Sequence, residues 1–198
     1  MNTSEAIRGR VESAPVGSVF LSSDFNELGA PTAIRPALSY LVGRGVLGRV
    51  RRGTYYRRAR SGFGSGAYSN ANAALRVANR LAPGPSGAFA AHVLGLSTQV
   101  PVIPEIAVVG RAPTSVPGVR FRERSNVERL RVNATSKEVA LLELARENFD
   151  AVELSRAELI TRVRRLLEAG EIDRDRLLKA SEGEPKAARS RLNALLTA

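Results

Sequence analysis

Apolar positions near the amino terminus fall in short blocks whose spacing changes from one to the next. Glu5–Val11 reads as a short helix that Ser4 can cap and that Pro15-Val-Gly17 ends. Ser18-Val-Phe-Leu21 is a β-prone run. Ser22 or Ser23 can cap a second short helix, Asp24–Leu28, with Gly29 as its stop. Ile34, Leu38, Leu41 and Val42 then recur at i, i+4, i+7 and i+8, one face of a third helix that begins near Pro31 or Thr32 and stops at Gly43 and Gly45. Thr32, Arg35, Ser39 and Tyr40 occupy the opposite face. Pro36 lies in the second turn, where its ring costs stability, so a kink or a loose first turn is expected. Val46–Val50 and Thr54–Tyr56 read as two strands around Arg51-Arg52-Gly53, and Gly53 supplies the positive φ of a tight hairpin turn.

The later pattern is mixed. A helix over about Ala71–Leu81 is broken by Pro83-Gly-Pro85, and another runs from Ser86 to Leu94 with Gly95 as its stop. Ile103–Val109 and Val119–Arg122 read as strands, with Leu130–Val132 a weaker third. Thr135-Ser-Lys-Glu138 and Ser155-Arg-Ala-Glu158 are capping boxes that start helices over 136–148 and 156–169, the second stopped by Gly170. A short helix at 173–180 follows, and Pro185 opens a last helix to Leu196. The expected fold class is α+β. Helix, strand, helix, helix, hairpin is the order of an N-terminal winged helix-turn-helix; a mixed α/β part with a small sheet and a helical end follows it.

Charge divides the same 198 residues unevenly. Lys and Arg number 30 against 19 acids, a net charge of +11 that attracts polyanions, nucleic acid first. From Arg44 to Arg60 there are seven Arg and no acid, and Ser61-Gly-Phe-Gly-Ser-Gly66 then reads as a flexible connector. The expected domains are 1–60 (DNA-binding), 61–69 (linker) and 70–198. The polar face of the third helix (Thr32, Arg35, Ser39, Tyr40) suits a major groove. Arg44, Arg49, Arg51, Arg52, Arg57 and Arg58, with Arg60 behind them, suit phosphates or the minor groove. Winged helices also serve as protein-docking modules, and that reading stays open.

Catalytic chemistry finds little support. The chain has no Cys, which excludes disulfides, thiolate metal sites and thiol nucleophiles, and its single His, His92, excludes sites built on two or three imidazoles. No partner for His92 is nominated, so it reads as a helix-packing residue hydrogen-bonded to backbone. Arg120-Phe-Arg-Glu-Arg124 alternates as an edge strand would, with a second nucleic-acid strip the weaker reading. Neither GxGxxG nor a phosphate-loop pattern occurs. Ser22 and Ser23 read as caps, not nucleophiles. No catalytic residue, metal or cofactor is expected. The N-terminus lacks a secretory apolar stretch and no run approaches the ~20 residues of a membrane span, so a soluble cytoplasmic protein is expected.

Val19-Phe20, Asp24-Phe25, Leu28-Gly29, Ala37-Leu-Ser-Tyr-Leu41, Gly45-Val-Leu-Gly-Arg49 and Arg52-Gly-Thr-Tyr55 resemble the winged helix of AbiEi-type antitoxins, the antitoxin halves of abortive-infection toxin–antitoxin pairs. Ser86-Gly-Ala-Phe-Ala-Ala-His-Val-Leu-Gly-Leu-Ser-Thr-Gln-Val-Pro101 is similar to that group's middle segment, and Pro185, Arg189-Ser-Arg-Leu192 and Leu195-Leu196 to its C-terminal helix. Pro36 departs from the family's pattern. The resemblance implies an N-terminal domain that binds double-stranded promoter DNA and represses its own operon. It also implies a C-terminal domain that counters a nucleotidyltransferase-like toxin. The last helix sets Lys186, Arg189 and Arg191 beside Leu192, Leu195 and Leu196, a basic face for an acidic partner or for nucleic acid a toxin would use. Two other classes remain: a ligand-responsive winged-helix regulator without a toxin, and a nucleic-acid-processing enzyme.

Overall fold

The computed structural model describes residues 2–58, 66–113 and 116–198, with side chains for all of these but 66–69. The chain is α+β and forms two compact units, Met1–Arg76 with Val116–Gly118, and Val77–Ser115 with Val119–Ala198. The break falls between Arg76 and Val77, at the end of a helix.

In the first unit, α1 spans Thr3–Ser13. Its cap is Asn2, not Ser4: the Asn2 carboxamide accepts from the Ser4 N–H at 3.1 Å, and Glu5 reaches back to the Asn2 N–H. Strand β1, Val19–Leu21, leads into a 3-10 turn over Ser22–Leu28. Neither Ser22 nor Ser23 caps that turn; Asp24 accepts from the Leu21 N–H at 2.9 Å instead. Helix α2 runs from Pro31 to Gly43 without interruption at Pro36, and Ala30 O accepts from both Ala33 and Ile34 in its first turn. It ends where Val46 N–H reaches Leu41 O over Gly45, whose φ of 71° closes the turn. Strands β2 (Leu47–Arg51) and β3 (Thr54–Arg57) complete an antiparallel sheet in the order β1-β3-β2. Ile7, Val11, Phe20, Phe25, Ile34, Leu38, Leu41, Leu47 and Tyr55 fill the core of this winged helix. Helix α3, Gly66–Val77, starts inside the expected linker, and Arg76 pairs with Asp24 at 2.6 Å. Residues 61–65 lie outside the described residues.

In the second unit, Pro83-Gly-Pro85 does more than break a helix. Strand β4 (Gly84–Ser86) pairs antiparallel with β5 (Glu105–Val109), which pairs in parallel with β6 (Arg120–Arg124). Gly84 has no room for a Cβ, which would lie 2.8 Å from Ser136 O, and Pro85 sits on an edge strand where a missing N–H is tolerated. Helix α4 is Gly87–Val93. Leu130–Val132 is no third strand: α5 covers Glu128–Arg131. The two capping boxes start α6 (Ser136–Arg146) and α7 (Arg156–Glu168), Asp173 caps α8 (Arg174–Ser181), and α9 (Lys186–Leu196) follows Pro185, its N-cap. Every residue of α6 from Glu138 to Ala145 is buried, and this helix is the core around which α4, α8, α9 and β4 pack. Among the described residues no helix is long and apolar enough to cross a membrane.

Candidate nucleic-acid interface

Helix α2 buries Ile34, Ala37, Leu38 and Leu41 and exposes Thr32, Arg35, Ser39 and Tyr40. At about 100° per residue, the middle of the exposed face is a stripe of Thr32, Pro36, Ser39 and Gly43. Arg35 and Tyr40 flank it, about 140° apart around the axis. Small residues in the middle allow close approach to a groove floor, and the flanks carry the two long side chains. Pro36 belongs to that solvent-facing stripe.

The wing is built by two local devices. Gly48 lies opposite Tyr56, and a Cβ at 48 would run into the Tyr56 ring, so the ring covers the bare strand. The register then slips between Arg49, opposite Tyr55, and Arg51, opposite Thr54. Neighbouring residues of β3 face opposite ways, so this bulge at Val50 puts Arg49 and Arg51 on opposite faces of the hairpin. A regular strand would put them on the same face. Gly53, at φ 76°, makes the turn. Arg44, Arg49, Arg52 and Arg58 are exposed, and Arg51 and Arg57 are half-buried. None of these six, nor Arg35, forms an ion pair with a carboxylate among the described residues, and Arg51 Nε is buried without a hydrogen-bond partner. Arg60 lies outside the described residues. Arg10, by contrast, is paired with Glu27 and stacked 5.5 Å from the Phe25 ring.

The residues singled out in the second unit fare differently. Lys186 and Arg189 are exposed on α9. Arg191 is half-buried and donates to Ala145 O at 3.0 Å, satisfying a carbonyl at the end of α6. The arginines of β6 are engaged as well: Arg120 and Arg122 bind Glu105, and Arg124 binds Glu143. The strand therefore offers little free charge for a second nucleic-acid strip. His92 is half-buried on α4. Among the described residues no three acidic or His side chains gather where a metal ion could be held.

A buried ionic network in this unit has no signature in the sequence, because its members are scattered along the chain. Glu143 accepts from Ser86 Oγ at 2.9 Å, Arg124 at 2.6 Å and Arg129 at 2.7 Å. Arg129 also donates to Glu184 at 2.8 Å, which accepts from Asn126 at 2.6 Å and from Arg146. The side chains of Arg129, Glu143 and Glu184 are wholly buried. Burial pushes the Glu143 carboxyl up, but the Arg124 hydrogen bonds and the Arg129 charge more than offset it and hold it below the usual range. Glu138 shows the same balance with Arg176. Burial dominates at Glu147, whose carboxyl is raised. The network ties β4, β6, α5 and α6 to the segment between α8 and α9.

A family model described as "Family of unknown function (DUF6088)" matches residues 6–116, more than half of the chain. No curated protein matches. Among solved structures, the RV2827C protein from Mycobacterium tuberculosis is similar in fold, with a TM-score of 0.50 and 19% identity over 98% of this chain and 76% of that one.

Proposed function

The chain belongs to that family of unknown function, and we propose that it is a DNA-binding repressor acting as the antitoxin of a toxin–antitoxin pair. One observation carries the DNA half of this reading. Seven arginines on α2, its C-terminus and the wing have no carboxylate partner among the described residues, beside an exposed helix face with small residues along its middle. Arginines held this way meet phosphates without first breaking an ion pair, while α2 offers Arg35 and Ser39 to base edges.

The antitoxin half rests on the resemblance to AbiEi-type antitoxins. In this reading the second unit counters a nucleotidyltransferase-like toxin and performs no catalysis itself. Lys186 and Arg189, exposed on α9, are its candidate contacts. Arg191 supports α6 and is the weaker candidate.

Co-expression tests the pairing. With the neighbouring toxin and this chain both driven from foreign promoters, wild type protects the cells. The full-length Arg51→Ala, Arg52→Ala double variant should protect equally well while losing promoter repression. Repression without protection by wild type would replace the antitoxin with a ligand-responsive regulator.

A further inference from the structure

The helix that precedes the winged motif also shapes the surface beside α2. A cleft of about 380 Å³ lies between α1 and α2, lined by Ser4, Glu5 and Arg8 from the first helix and by Pro36, Ala37, Tyr40 and Leu41 from the second. Tyr40 is 61% exposed and forms the flank of the α2 solvent face opposite Arg35. Arg8 is exposed, and no ion pair or side-chain hydrogen bond holds it among the described residues. Its neighbours are engaged: Glu5 turns back to the Asn2 N–H, and Arg10 pairs with Glu27. The cleft therefore presents one uncommitted cation, Arg8, and the Tyr40 phenol beside exposed Pro36, with the Glu5 carboxylate turned to the helix N-terminus.

We infer that this cleft receives the DNA backbone on the Tyr40 side of the groove, a phosphodiester meeting the Arg8 guanidinium and Tyr40 hydroxyl while its deoxyribose rests on Pro36. The inference rests on the DNA-binding reading. It adds α1 to an interface otherwise made of α2 and wing, so that the two flanks of α2 meet the two strands differently: Arg35 reads bases on one side, and Arg8 with Tyr40 clamps backbone on the other. A phosphate contact positions the helix without selecting sequence.

The full-length chain tests this, with salt titrations on promoter and random duplexes. Arg8→Ala should weaken both several-fold and equally, and lower the log–log salt slope by about 0.9, one phosphate contact. Arg8→Lys should restore the slope. On promoter duplexes carrying one methylphosphonate at successive positions, wild type should lose affinity at a phosphate beside the groove, and Arg8→Ala should be indifferent to that same change. Circular dichroism should show both variants folded. If Arg8→Ala keeps the wild-type slope and methylphosphonate profile while Arg51→Ala with Arg52→Ala loses affinity, the cleft is not a backbone contact and the wing reading stands. A wild-type chain that binds no DNA overturns both.

Discussion

Glu143 shows what a single side chain can decide in this fold. Its carboxylate is wholly buried against Ser86, Arg124 and Arg129, so removing its charge leaves Arg124 without a carboxylate and Arg129 with Glu184 alone. Breaking a buried pair from one side costs about 3–5 kcal/mol, and Glu143→Gln should lower stability by that amount in urea titrations of the full chain. The pH dependence follows from the same groups. Glu138 and Glu143 both have carboxyls held below the ordinary value of about 4.3, so the stability they contribute is present above it and lost as pH falls through their folded values. Melting temperature should therefore drop in the acid range below about 4.3, and Glu143→Gln should flatten that drop; a drop of equal size in the variant would contradict the assignment. On the other unit, Arg35 flanks the exposed stripe of α2. Arg35→Ala should cost ~1–3 kcal/mol on the promoter and relax preference at one base pair. Equal losses on promoter and random DNA would mean that Arg35 touches only phosphate.

Whole elements were legible where one local rule decided them. The i, i+4, i+7, i+8 spacing of α2, the hairpin turn at Gly53 and both capping boxes needed no tertiary information, and the winged helix followed from their order. Elements set by packing were not legible. Strand β4 is Gly-Pro-Ser, a sequence that breaks helices and carries no strand pattern; it is a strand because α6 lies directly on Gly84 and β5 pairs with it. Leu130–Val132 has strand-like residues but lies at and just beyond the end of a short helix whose Arg129 is locked into the ionic network. The exposed set on α2 and the wing was readable from charge and periodicity, yet the bulge that separates Arg49 from Arg51 comes from strand register, which composition does not encode. Packing on β4 gives its own prediction. Gly84→Ala forces a methyl against Ser136 O and Val139, and overpacking of this kind should cost ~1–3 kcal/mol in denaturant titration.

At the scale of the whole chain, the two units differ in how they use charge. The first leaves the arginines of α2 and the wing without a carboxylate partner among the described residues, while the second buries or pairs many of its own around Glu105, Glu138, Glu143 and Glu184. The proposed division of labour gives DNA to the first unit and another partner to the second. The direct test is the affinity of the purified full-length chain for the DNA upstream of its own gene, measured against random duplex from low to high salt. The account predicts tighter binding to the upstream DNA. It also predicts a salt slope that falls by roughly 0.9 for each phosphate contact removed by Arg51→Ala with Arg52→Ala. Equal affinity for both duplexes, with a slope unchanged in the double variant, would contradict it.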